Sequence, residues 1–285
     1  MSRVVDVAFV KGHGTRNDFV ILPDFEGKLD LSAERVRWLC DRRAGIGADG
    51  VLRVVRTANE PEFVDSADVA EFFMDYRNAD GTLAEMCGNG ARVFVRYLHA
   101  SGALTSRTTV IATRGGLVRA EVRGDEAQEI AIGMGAVHGE GSVPLPVTVQ
   151  HSGHTWEAQP VHAPNPHAVA FVDSLELVGD LGTAPVVTPA QAFPEGVNVE
   201  FVERVAEGHV RMRVHERGVG ETSSCGTGAC AVAWAAALTD GAVDTFRVDV
   251  PGGTVWVEIA ADGQLTLRGP ADLVARGTLQ WPRGL

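Results

Sequence analysis

The sequence predicts a β-rich α/β protein made of two similar halves, and three observations carry that prediction. Two near-identical pentads, Cys87-Gly88-Asn89-Gly90-Ala91 and Cys225-Gly226-Thr227-Gly228-Ala229, stand 138 positions apart (87 to 225), and the same offset aligns their surroundings without gaps. Such self-similarity is the mark of a duplicated unit. Each copy has the same order of local signals: an apolar strand, a polar loop, a cysteine turn and an apolar-periodic helix. Finally, 33 glycines and 13 prolines punctuate many short Val-rich segments over 285 residues. That length and punctuation favour about two domains of short strands and tight turns.

The elements follow in order. A helix is expected over 32–39 and a strand over 51–55, with Gly45-Ile46-Gly47-Ala48-Asp49-Gly50 between them. That hexapeptide matches G-x-G-x-x-G in letters, but a dinucleotide site needs the strand before it and the helix after it, so it is expected to be a helix-to-strand loop. Strands are expected over 71–76 and 209–214, where Met74 falls on Met212 under the offset, followed by loops in which Asn78 falls on Glu216 and Ala79 on Arg217. After the turns, Ala91, Phe94, Val95 and Leu98 in one copy, and Ala229, Val232, Ala233 and Ala236 in the other, have the spacing of helices with one buried face. Both should end near a glycine, at Ser101-Gly102 and Asp240-Gly241. A looser echo precedes each unit, His13-Gly14-Thr15-Arg16-Asn17 and His162-Ala163-Pro164-Asn165.

Bulk properties exclude several classes of function. The formal net charge of −12, with no basic cluster, argues against nucleic-acid binding. No apolar run approaches the length of a membrane span. The start, Met1-Ser2-Arg3-Val4-Val5-Asp6, lacks a signal-peptide core, so a cytoplasmic location is expected. There Cys40, Cys87, Cys225 and Cys230 should be reduced thiols, with Cys40 and Cys230 filling core positions. His151 and His154 flank Ser152-Gly153 at what reads as a hairpin tip, so they are expected to be solvated turn histidines, and no metal site is expected.

The repeated thiols carry the chemistry. A cysteine at a helix start meets unpaired backbone N–H groups and the positive end of the helix dipole, an environment expected to lower its pKa and to bind anions. Inverting a carbon centre by proton transfer needs a base on one face and an acid on the other. Thiols suit both roles, since a pKa of about 8.5 can be tuned in either direction. The N–H groups of Gly88, Asn89, Gly226 and Thr227 are expected to converge on a substrate carboxylate. Gly90 and Gly228 are expected to serve turn geometry alone.

At this point a family becomes recognisable. Asn78-Ala79-Asp80-Gly81, Glu85-Met86-Cys87-Gly88-Asn89-Gly90-Ala91-Arg92, Asn165-Pro166-His167-Ala168-Val169 and Glu216-Arg217-Gly218-Val219-Gly220-Glu221-Thr222 ahead of the second pentad resemble diaminopimelate epimerase, and the resemblance runs over nearly the whole chain. It implies two α/β domains, each a strongly curved, mostly antiparallel sheet wrapped around a central helix. The expected domains are 1–128 with 274–285, carrying Cys87, and 129–273, carrying Cys225. It further implies a cofactor-free, two-thiol enzyme that interconverts LL- and meso-diaminopimelate on the route to lysine and peptidoglycan, expected to be a homodimer with no nucleic-acid or membrane partner. By the same resemblance, Asn17, Asn78, Asn165, Asn198 and Arg217 hold the distal amino-acid end of the substrate, and His167 and Glu216 lie close to the thiols and tune them. The chain departs from many members at Gly50, where they carry glutamine. The nearest alternative is a proline racemase or hydroxyproline epimerase. Those enzymes typically have histidine where Asn89 stands and an Asp-Arg-Ser-Pro run where this chain has Glu221-Thr222-Ser223-Ser224. A binding protein on the same scaffold would be expected to lose a thiol, and this chain keeps both.

Overall fold

The computed structural model describes residues 6–124, 128–139, 146–241 and 243–282. The opening residues 1–5, read above for a leader, lie outside that range, as do residues 283–285. The chain divides into two compact units: the residues up to Ile132 together with those from Pro270, and Gly133–Gly269.

Both units repeat one strand plan. In the first, strands Asp6–Gly14, Asn17–Pro23, Gly50–Arg56, Phe72–Asn78, Thr108–Thr113, Gly116–Arg123 and Glu129–Ala136 lie side by side in chain order. The second and third strands are parallel, as are the fourth and fifth, and the remaining neighbours are antiparallel. The second unit follows the same plan. Strands His154–His162, Pro166–Phe171, Asn198–Ala206, His209–Glu216, Thr245–Val250, Gly253–Ile259 and Gln264–Pro270 pair in that order, again parallel at the second step and the fourth. The strand Asp272–Gln280 returns to the first unit and pairs with Asp6–Gly14.

Each sheet curves around one helix, Gly88–Ala100 or Gly226–Asp240. The first packs against strands 6–14, 17–23 and 116–123 among others, and the second against 166–171, 198–206 and 253–259. Burial corrects the expectation of one buried face. Every residue from Gly88 to Val95 is buried, and so is Ala229 through Ala233, because the sheet covers the helix on nearly all sides. The small residues of the second helix let strands approach it closely. Where the first helix carries Arg92 instead, the guanidinium is buried and donates to Thr15 Oγ1 at 3.1 Å. Both helices stop at glycines with positive φ, Gly102 at +75° and Gly241 at +80°.

The hexapeptide at 45–50 joins the helix Ala33–Cys40 to the strand Gly50–Arg56. Cys40 and Cys230 are buried in the core. The histidines of the 147–162 hairpin differ from expectation. His151 is buried, and its Nε2–H donates to the Asp180 carbonyl at 2.8 Å, while His154 is exposed and stacks on Trp156. His151 and His154 oppose each other across the hairpin and so share one of its faces. The segment at 178–180 covers His151, where Ser152 also donates to the Val178 carbonyl, and leaves His154 uncovered.

Candidate active site

Each pentad folds into a sulfur-capped helix start. Cys87 (φ −142°, ψ 119°) and Cys225 (φ −119°, ψ 115°) occupy the cap position in extended conformation. Their Sγ atoms accept the N–H of Gly90 and of Gly228, both at 3.4 Å. The helical ladder begins with the N–H of Ala91 and of Ala229, which donate to the cysteine carbonyls. The amides between, on Gly88 and Asn89 or Gly226 and Thr227, precede that ladder and occupy the end that attracts anions.

Near the first sulfur stand the amides of Asn17 and Asn89. Asn17 Oδ1 lies 3.7 Å from Cys87 Sγ and accepts from Asn89 Nδ2 at 3.2 Å. Its other amide atom, Nδ2, donates to Asp49 Oδ2 at 2.8 Å, which fixes which end of the amide faces the sulfur. Asp49, in the loop ahead of the strand Gly50–Arg56, is therefore the anchor of Asn17. Asn17 leaves a turn in which both Thr15 (φ 49°) and Arg16 (φ 65°) adopt the left-handed conformation, an uncommon state for residues with a Cβ. Asn78 ends its strand outside this cluster and donates to Thr82 Oγ1 at 3.0 Å. Gly50 has no room for a larger residue, since a Cβ there would meet Arg77 O at 2.7 Å and Tyr76 Cε2 at 2.8 Å. The Tyr76 ring stands where a longer side chain at position 50 would begin.

Around the second sulfur the polar groups are ionisable. Glu216 ends the strand His209–Glu216, accepts from Thr222 Oγ1 at 2.5 Å and lies close enough to Cys225 for its charge to act on the thiol. Thr227 Oγ1 lies 3.4 Å from Cys225 Sγ. His167, fully buried, places Nε2 2.9 Å from Asn165 Oδ1 and Nδ1 2.7 Å from Glu200 Oε1. Both ring nitrogens are thereby engaged, one by Asn165 and one by Glu200. Asn198 accepts the Arg217 N–H on Oδ1 at 3.0 Å, and its buried Nδ2 has no hydrogen-bond partner among the described residues. The Arg217 side chain is exposed and donates to the Glu195 carbonyl at 3.2 Å.

These surroundings overturn two expectations. Burial pushes the Cys225 thiol well above the usual range, and the charges of Glu216 and Glu200 add to it. The bonds from Thr227 and Gly228 act the other way and are outweighed. A helix dipole contributes about 0.3–1 kcal/mol, up to ~2 when partly buried, and it acts with those bonds against the burial. Burial likewise raises Glu216, helped by Glu200. The second correction concerns the outer glycines. Neither Gly90 nor Gly228 has a positive φ, so turn geometry does not require them. Space does at Gly228, where a Cβ would stand 2.7 Å from Glu200 Oε1. Glu200 itself escaped the sequence reading. It lies in an apolar strand far from the motifs, and its only signal was an acidic residue among buried positions.

A strand plan used twice around sulfur-capped helices defines a class of two-unit α/β proteins with one cysteine turn per unit. Among solved structures it is similar to a hydroxyproline epimerase from Agrobacterium vitis with bound trans-4-hydroxy-L-proline (TM-score 0.64, 17% identity, 96% of this chain and 91% of that one), a likeness of fold. The sequence pattern of diaminopimelate epimerase matches residues 9–139 and 161–274, and the chain belongs to that family. The diaminopimelate epimerase of Streptomyces coelicolor is 50% identical over 289 residues, covering 98% of each chain. That of Rhodococcus opacus is 46% identical, over 97% of this chain and 99% of its own. No helix among the described residues is long and apolar enough to cross a membrane.

Proposed function

We propose that this chain is a diaminopimelate epimerase that works without a cofactor, interconverting the LL and meso isomers by proton transfer between two thiols and the α-carbon. Family membership and the two curated relatives support the activity. The observation that supports the mechanism is the charge at the second of two equal caps. The Asn17 amide stands beside the first sulfur, and burial with two carboxylates pushes the second toward its protonated form. A two-base inversion needs one thiol and one thiolate at a time. Carboxylates beside Cys225 favour its protonated form, which leaves the negative charge to Cys87. Cys87 then takes the α-proton while Cys225 delivers its own to the opposite face, and turnover leaves the two exchanged.

An α-hydrogen beside a carboxylate is weakly acidic, so charge building on that carboxylate must be met. A well-placed donor is worth roughly 2.7–4 kcal/mol, more than the dipole alone supplies. The amides of Gly88, Asn89, Gly226 and Thr227 fill that role. Asn17, Asn78, Asn165, Asn198 and Arg217 read the distal end, Arg217 by a bidentate pair with the second carboxylate. The unpartnered Asn198 Nδ2 supports this, since a buried donor without an acceptor is costly until a ligand supplies one. Glu216 passes a proton to or from Cys225. The reading places the enzyme in lysine and peptidoglycan-precursor synthesis, in the reducing cytoplasm that its free thiols suit, and as a homodimer.

The test offers LL-diaminopimelate, meso-diaminopimelate, proline and 4-hydroxyproline side by side in heavy water. The expected result is turnover of the first two alone, with deuterium at the inverted carbon. Turnover of proline would favour the related racemases, and unlabelled product would mean return of the proton by a single base.

A further inference from the structure

The repeat allows the ground behind the two sulfurs to be compared position by position. Tyr76 and Val214 share a place in the repeat, and their ladder partners are Leu52 and Glu200. Two residues earlier, Gly50 and Asn198 are equivalent, and their parallel-strand partners are Phe19 and His167. One unit thus puts Phe19 and Leu52 behind its cysteine turn where the other puts His167 and Glu200. All four are 0% exposed. The turns agree: a Cβ on Gly90 would meet Leu52 at 3.3 Å and Phe19 at 3.4 Å, and one on Gly228 would meet Glu200 Oε1. The fold therefore packs an apolar pair at this place without loss. An ionisable pair there is not demanded by packing, and burying it carries a desolvation cost.

The protons can be counted. Asn165 Oδ1 only accepts, so His167 Nε2 carries a hydrogen. His167 Nδ1 and Glu200 Oε1, 2.7 Å apart, then share one more. The pair is neutral whether that proton sits on nitrogen or oxygen, and its electron-rich end lies against the Cys225 turn. Glu200 Oε2 is buried with no hydrogen-bond partner among the described residues. Among the described residues, the ionisable groups that act on or bond Glu200 are His167 on strand 166–171, Glu216 on strand 209–216 and Cys225 at the helix start.

We propose that Glu200 is a positioning residue which, with His167, forms a buried proton-holding pair dedicated to Cys225 and sets the charge state of that sulfur. The proposal rests on the reading of Cys225 as one of the two reacting thiols. An electron-rich oxygen against the Cys225 turn, 2.7 Å from where a Cβ on Gly228 would stand, opposes the thiolate, so Cys225 waits as the acid. The shared proton also fixes the His167 ring and, through Nε2, the orientation of Asn165. The same place in the other unit, held by Leu52, exerts no such force on Cys87.

The test reads the thiol itself, so it does not depend on which substrate is turned over. Thiolate absorbance is titrated in Cys87→Ala protein with and without Glu200→Gln, and the signal of Cys40 and Cys230 is subtracted using Cys87→Ala/Cys225→Ala. The expected result is a Cys225 midpoint lowered by about one pH unit, with Glu200→Asp restoring most of it. In the two-thiol enzyme the alkaline limb of kcat/KM moves the same way and kcat falls about tenfold or more, with KM little changed. A second variant, His167→Phe with Glu200→Leu, installs the other unit's pair; it should fold and melt like the parent, and its Cys225 midpoint should also fall. An unmoved midpoint in Glu200→Gln, or a normal pH profile and turnover in the double variant, would overturn the proposal. Failure of both to fold would make the pair structural and end it as well. A shifted midpoint in a protein that epimerises neither diaminopimelate isomer would instead overturn the proposed function and leave this inference standing.

Discussion

In one unit the capping sulfur lies against the amides of Asn17 and Asn89; in the other it lies among Glu216, Glu200 and the hydroxyl of Thr227. The backbones of the two turns are nearly superimposable in kind, with the same cap, the same sulfur-to-amide bond and the same strand order on either side. Duplication has preserved what holds a sulfur at a helix start and has let the surroundings diverge. The divergence runs toward charge in one copy alone, at Leu52 against Glu200, Phe19 against His167 and Asn78 against Glu216. Two identical thiols would have no reason to hold different protonation states. The unequal surroundings supply one.

The comparison can be broken most severely at the sulfurs. Cys87→Ala and Cys225→Ala should each lower turnover by about 10³-fold or more with the circular dichroism unchanged. A steady-state assay in which either variant kept near-normal rates would remove the paired-thiol reading. A smaller effect separates the turns themselves. Gly228→Ala drives a methyl group toward Glu200 Oε1, 2.7 Å away, and should cost about 1–3 kcal/mol in urea denaturation. Gly90→Ala meets only carbon atoms at 3.3–3.5 Å and gains about 1 kcal/mol of helix propensity, so its net change should lie near zero. Equal losses at both glycines would erase the distinction drawn between the turns.

The smallest expected effect is on acid stability. In the first unit burial opposes ionisation of Asp75, but Arg77 and Arg114 outweigh it and hold the carboxyl below the usual range. A carboxyl lowered by folding adds stability above its unfolded pKa and loses it as the pH falls through the folded value. Glu216 in the second unit is raised by burial, so its contribution is present below its unfolded pKa of 4.5 and is lost as the pH rises. Below about pH 4, the strands at 50–56 and 72–78 should therefore lose amide protection before the strand at 198–206, as read by hydrogen exchange. The reverse order would show that these carboxylates do not govern the difference.

Much of this was legible in residue order. The 138-position offset, Met74 over Met212 and the helices after each pentad depend on short contiguous stretches, where periodicity and turn chemistry act. The helix stops at Gly102 and Gly241 were legible for the same reason. His151 was misread because its burial depends on the segment at 178–180, which lies far from it in sequence and folds over that end of the hairpin. The purpose of Gly228 was missed because the atom that needs the space belongs to another strand. Asp49 was passed over because its contact with Asn17 joins a loop to a strand that precedes it by a helix.

The order of residues by itself determined the duplicated strand, turn and helix, and the placing of a cysteine at each helix start, because those features follow from neighbours along the chain. Only the folded molecule decided that Cys225 is pushed toward its protonated form and that His167 is held between Asn165 and Glu200. A thiol's proton affinity depends on the charges and the burial around it in space. Those are supplied by strands whose sequence positions give no hint that they meet.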